Sequence, residues 1–156
     1  MEPDVGHYLE KWGMRFEHLG GTRMMGRVLG WLLICDPPHQ TAKEVAKALG
    51  VSIGSISITT RGLEQFGMIE RIGIPGERSA HFRIAPGVWV RMMRIRLDHL
   101  NGMRELAEEG MGLFPGRHRK VTRRLREIRD YCAFMSEEIP PLLEQWERRW
   151  QGEESS

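Results

Sequence analysis

Thr41-Ala42-Lys43-Glu44-Val45-Ala46-Lys47-Ala48-Leu49-Gly50-Val51-Ser52-Ile53-Gly54-Ser55-Ile56 is the stretch on which the fold turns. Thr41 to Glu44 is a capping box: the threonine hydroxyl can accept the third helical N–H while the glutamate reaches back to the Thr41 amide. The spacing predicts a short helix through Val45, Ala46 and Leu49 that stops at Gly50, where the left-handed conformation costs a glycine little. Ser52 is the expected N-cap of a second helix with Ile56, Thr60 and Leu63 on one face, ending at Gly67. Ala46 is small where the helices would cross, Gly50 turns the chain and Ile56 anchors the second helix. These are the packing demands of a helix-turn-helix.

After the second helix the period changes. From Met68 to Ile74, Glu70, Ile72 and Ile74 share one face and Ile69 and Arg71 the other; farther on, Phe82 and Ile84 alternate with His81 and Arg83. Two short strands are expected, joined through a type II turn at Pro75-Gly76. The resulting β-hairpin carries Glu77, Arg78 and Ser79 near its tip.

Upstream, Leu9, Trp12, Phe16 and Leu19 recur at helical spacing between Val5 and Leu19, and Gly20-Gly21 stops that helix. A nearly all-apolar helix follows from an N-cap at Thr22 to Asp36-Pro37-Pro38, carrying Met25, Val28, Leu29, Trp31, Leu32 and Ile34. Downstream, Pro86 to Leu113 reads as a long helix weakened at Gly102 and closed by the breakers from Gly112 to Gly116. In the last helix Val121, Leu125, Ile128, Cys132, Met135 and Ile139 alternate steps of four and three, a seam for packing along its length. Pro140-Pro141 is expected to interrupt it, Leu142, Trp146 and Trp150 continue the stripe, and Gln151 to Ser156 reads as a frayed polar tail.

The fold class predicted is mainly α with a small β-hairpin, a winged helix-turn-helix with N- and C-terminal dimerisation helices. One domain is expected over 1–156, with the DNA-binding core at 22–85, helical dimerisation elements at 1–21 and 86–150, and a flexible tail at 151–156. At 40% hydrophobic and 28% charged residues the chain has the composition of a globular protein. The apolar run Val28 to Cys35 is too short to cross a bilayer, and the acidic start is unlike a signal peptide, so a cytoplasmic location and no membrane partner are expected. Cys35 and Cys132 are far apart and form no metal cluster; two reduced, packed thiols are expected and no metal or cofactor. With 23 Lys+Arg against 21 Asp+Glu, a net charge of +2 leaves any nucleic-acid affinity to the arrangement of charge.

A helical wheel centred on Ile56 puts Gly54, Ser55, Ser57, Ile58, Arg61 and Gln65 away from the core. Small residues let a helix sit deep in the major groove, serine bonds phosphates or base edges, arginine forks onto guanine, and an outward isoleucine meets a thymine methyl. A solvated helix face is the competing reading. The adjoining hairpin favours the groove, and Thr41, Ser52 and the wing residue Arg78 complete the candidate DNA-contact set.

The run Met24-Met25-Gly26-Arg27-Val28-Leu29-Gly30-Trp31-Leu32-Leu33-Ile34-Cys35-Asp36-Pro37-Pro38, the helix-turn-helix, Gly67-Met68-Ile69-Glu70-Arg71 and Pro75-Gly76-Glu77-Arg78 together resemble the GbsR-like branch of the MarR family. The resemblance covers roughly the first 85 residues in sequence and the helical remainder by architecture. It implies a winged helix-turn-helix, dimeric through its terminal helices, that regulates transcription. Some such regulators release DNA on binding a small-molecule effector, and some members of the branch are linked to choline or osmolyte genes; no residue here identifies an effector. The wing residues Ser79-Ala80-His81 are less basic than the resemblance implies. A homodimeric repressor of double-stranded DNA with a palindromic operator is the expectation, and a winged-helix protein-interaction module the alternative.

Two further features carry open readings. Arg117, His118, Arg119, Lys120, Arg123, Arg124, Arg126 and Arg129 form the densest basic stretch, either a phosphate-facing surface or a solvated face paired with Glu105, Glu108 and Glu109. Trp12, Phe16, Trp31, Trp89, Met92 and Met93 serve either as core or as the lining of an effector pocket. The six histidines are scattered, without a His-x-x-x-His pair, a nucleophile elbow or a phosphate-cradling glycine loop, and no enzyme is expected.

Overall fold

Gly26 and Gly30 decide how the first two helices meet. In the computed structural model, which describes residues 3–113 and 119–154, α1 (Pro3–His18) crosses α2 (Arg23–Leu32) so closely that a Cβ on Gly26 would run into the Trp12 carbonyl oxygen. A Cβ on Gly30 would lie 2.9 Å from the Trp12 ring. Trp12 is thus core material against a glycine stripe. The Thr22 hydroxyl accepts the Met25 amide at 3.2 Å and so starts α2.

The described residues fall into two compact units, divided between Val88 and Trp89. In the first, α1 and α2 are followed by β1 (Gln40–Thr41), α3 (Ala42–Leu49), α4 (Ile53–Gln65), β2 (Ile69–Ile72) and β3 (His81–Ile84). Leu9, Val28, Leu29, Val45, Ile56 and Leu63 are its most deeply buried apolar side chains and come from all four helices. The helix α1, expected to serve dimerisation, buries Leu9 and Phe16 within this core, whereas Leu19 lies past the helix end and is exposed.

The sheet has three strands where two are expected. β3 lies in the middle, antiparallel to both neighbours, with Gln40 opposite Phe82 and Ile69 opposite Ile84. Phe82 and His81 are consecutive yet both buried, so the expected alternation fails on β3. The His81 ring is held between His39, which lies 42 positions earlier, and Glu77 at its other nitrogen, so it meets little water.

The second unit contains α5 (Val88–Gly112) and α6 (Arg119–Glu154). Gly110 sits beside Leu125, Asn101 accepts the Ser136 hydroxyl at 2.9 Å, and Arg94 reaches Glu147 at 3.2 Å. Pairs that advance along α5 while retreating along α6 define an antiparallel helical hairpin. Pro140 and Pro141 lie inside α6 and do not interrupt it, contrary to the sequence expectation. Each proline deprives the carbonyl four residues earlier of its N–H partner. Those carbonyls belong to Ser136 and Glu137, neither of which is buried, so water can satisfy them. Gln151 to Glu154 continue the helix where a frayed tail is expected, and the final two residues lie outside the described part.

Candidate nucleic-acid interface

The capping box is formed in full. The Glu44 amide donates to the Thr41 hydroxyl oxygen at 3.2 Å, and the Glu44 carboxylate accepts from both the Thr41 amide and hydroxyl at 2.7 Å. Those two bonds, the backbone one first, hold the Glu44 carboxyl below the usual carboxylate range. At the other end of α3, Gly50 has φ +66, and its amide and that of Val51 both return to the Ala46 carbonyl. Arg27 donates to the Leu49 carbonyl at 3.1 Å, tying α2 to this turn. Three residues after Leu49 the Ser52 hydroxyl accepts the Ser55 amide at 3.2 Å and opens α4.

The turn fixes which face of α4 looks outward. Ile56, Thr60 and Leu63 point into the core, and the Thr60 hydroxyl donates to the Ile56 carbonyl at 2.9 Å, so its burial leaves no free donor. Gly54, Arg61 and Gln65 are exposed, Ser55 and Ser57 half-buried, and Ile58 is 68% exposed. The Arg61 Nε donates to the Ser57 carbonyl at 3.1 Å, which lays the stem along the helix and leaves the guanidinium tip in water.

Between the start of α3, the inner flank of α4 and the hairpin lies a groove of about 470 Å³. Three cations line it, Lys43, Arg61 and Arg71, together with Thr41, Ser57 and Ser79. Of the sequence-derived contact set the groove collects Thr41, Ser57 and Arg61. Gly54, Ile58 and Gln65 lie on the outward face, Ser52 and Ser55 at its N-terminal end, and Arg78 on the exposed wing loop. Sequence reasoning missed Lys43 and Arg71. Both had a signal: Lys43 is within the first turn of a capped helix, and Arg71 is a charged residue inside a strand. The basic stretch falls partly outside the described residues, Arg117 and His118 wholly and Arg119 and Lys120 by their side chains. Within the described part Arg123, Arg124 and Arg126 are exposed and Arg129 pairs with Asp130 at 2.6 Å.

A groove lined with cations and flanked by an exposed, small-residue helix face can follow a polyanion. Among the described residues no group of three metal-ligating side chains is assembled.

A family model described as an MmpR5-like MarR family transcriptional regulator matches residues 87–149. The HTH-type transcriptional regulator MmpR5 of Mycobacterium tuberculosis is 38% identical over 148 residues, spanning 95% of this chain and 90% of that protein. A crystal structure of a transcriptional regulator, also 38% identical, superposes with a TM-score of 0.78 over 94% of this chain and 99% of its own. With likeness of that level along nearly the whole of both chains, this protein belongs to the MarR family of winged-helix transcriptional regulators, in its MmpR5-like group.

Proposed function

We propose that this regulator binds double-stranded DNA sequence-specifically, as a homodimeric repressor on a palindromic operator. The observation that carries the reading is the outward face of α4, where Ile58 and Arg61 stand exposed beside the groove lined by Lys43 and Arg71. An isoleucine exposed between polar neighbours suits a thymine methyl, and an arginine anchored only at its stem suits a guanine edge. In this reading Thr41, Ser52, Ser55 and Ser57 supply hydroxyls for phosphate oxygens or base edges, Gly54 and Gln65 extend the face along the helix, and Arg78 is the contact to the flanking backbone.

Dimerisation is favoured because one such helix reads too few base pairs for high selectivity. The hairpin of α5 and α6 leaves Leu106, Phe134, Leu142 and Trp146 exposed, apolar side chains that a second copy could cover. No helix among the described residues is long and apolar enough to cross a membrane, and a cytoplasmic location fits the role. The GbsR-like branch expected from the sequence finds no separate support in the comparisons, and no effector is assigned.

Selection of sites from random duplex DNA, followed by binding at rising salt, tests the reading. Selected sites should carry a two-fold repeat with half-sites about 10 bp apart, and affinity should fall steeply with salt through counterion release. Binding without sequence preference, or without salt dependence, contradicts it.

A further inference from the structure

The wing carries an acid where a DNA-facing loop gains nothing from negative charge. Residues 73–80 separate Ile72 on β2 from its strand partner His81 on β3. Inside that loop the Glu77 amide donates to the Ile74 carbonyl at 3.0 Å, closing the turn over Pro75 and Gly76, whose φ is +86. The Glu77 carboxylate is then 2.6 Å from the His81 Nε2. His81 is 4% exposed, and its Nδ1 lies 3.1 Å from the Nδ1 of His39, with the two rings at 69°.

A carboxylate can only accept, so the His81 Nε2 carries a proton and donates it to Glu77, while the His81 Nδ1 shares a hydrogen bond with the His39 Nδ1. A hydrogen-bonded chain thus runs from His39, just before β1, through buried His81 to the wing tip. Removing Glu77 leaves a buried N–H without its acceptor and unties the loop at its midpoint.

We infer that Glu77, through His81 and His39, is a positioning residue for the wing, holding the loop so that Arg78 is presented to the DNA backbone. Arg78 follows Glu77 directly, is exposed, and has no partner among the described residues. Holding the loop before binding removes part of the ordering cost that a free loop would incur on the duplex. The inference rests on the DNA-binding reading above.

The bland electrostatic expectation has the opposite sign, since deleting an acid beside phosphates should tighten binding. Binding of a selected operator duplex is measured by fluorescence anisotropy for Glu77→Ala and Glu77→Gln, each alone and combined with Arg78→Ala. Glu77→Ala should weaken binding about threefold to tenfold, the effect of releasing one or two side chains that must be reordered. Glu77→Gln keeps an oxygen to accept the His81 N–H and drops the charge, so it should bind at least as tightly as wild type. With Arg78→Ala in place, Glu77→Ala should change affinity by less than about twofold, because the group being positioned is gone. A Glu77→Ala protein that binds as tightly as wild type overturns the inference, as does an equal loss in both Arg78 backgrounds. Failure of the underlying DNA reading is distinguishable, because then the wild type itself shows no selective, salt-sensitive binding.

Discussion

Arg71 on β2 is clasped by Glu64 on α4, its Nε and one Nη each 3.2 Å from a different carboxylate oxygen, while its guanidinium carbon lies 5.3 Å from the Phe82 ring centre. The pair ties the wing to the helix proposed as reader and fixes a cation on the wall of the groove between them. Exposed pairs of this kind contribute about 0.2–1 kcal/mol, so Arg71→Ala should barely move a thermal melt. Its effect should appear on DNA instead: weaker binding of all sequences alike, with the salt slope reduced by about one. A loss confined to one base position would place Arg71 on a base edge.

The approach of Gly26 to Trp12 gives a stability prediction. Gly26 admits no Cβ against the Trp12 carbonyl, a backbone atom that cannot swing aside. Gly26→Ala should therefore force α1 and α2 apart and cost about 1–3 kcal/mol, as overpacking does elsewhere. A melt within a degree of wild type would mean that the helices separate freely.

The capping box makes part of the stability depend on pH. Glu44 has its carboxyl lowered by accepting from Thr41, so its contribution is fully present above the unfolded carboxylate value and disappears as pH falls through the lower folded value. Glu44 is exposed, so solvent screens the effect and it is small. Urea titrations at neutral pH and near pH 3 should show a shallower acid loss in Glu44→Gln than in wild type. Equal loss in both would remove the capping carboxylate from the acid response.

Burial pushes the Cys35 thiol up, and the Cys35 Sγ donates to the Leu32 carbonyl at 3.8 Å; Cys132 is fully buried. Thiolate is the reactive form, so neither cysteine is set up as an oxidant sensor. Peroxide should leave operator binding of the wild type as it leaves that of a Cys35→Ala, Cys132→Ala protein. A peroxide response that the double variant lacks would assign them a redox role.

The helix-turn-helix was legible because its information is local: the hydroxyl of Thr41, the left-handed Gly50 and the cap at Ser52 each act within four residues. β1 was not, since two residues carry no period and its register comes from a strand forty positions away, Gln40 against Phe82. For the same reason alternation misplaced His81, whose ring meets His39, a residue 42 positions away. Ile58 and Arg61 could be placed by helical period, whereas Lys43 and Arg71 join them only once three separate elements enclose the groove. Pro140-Pro141 misled because a proline's local cost says nothing about whether water can reach the carbonyls it orphans.

If α4 reads the operator, substituting its outward face should change which bases are preferred. Affinities for the selected operator and for each single-base variant of it are measured for wild type, Arg61→Ala and Ile58→Ser, with Ile56→Ala as a control that should fail in melts because it opens the core. Arg61→Ala should cost about 1–3 kcal/mol on the preferred site and flatten the preference at one base position. Ile58→Ser should do the same more mildly at a thymine, while Arg78→Ala should weaken every sequence evenly. If the folded Arg61→Ala and Ile58→Ser proteins bind the operator as tightly and as selectively as wild type, α4 is not the reader.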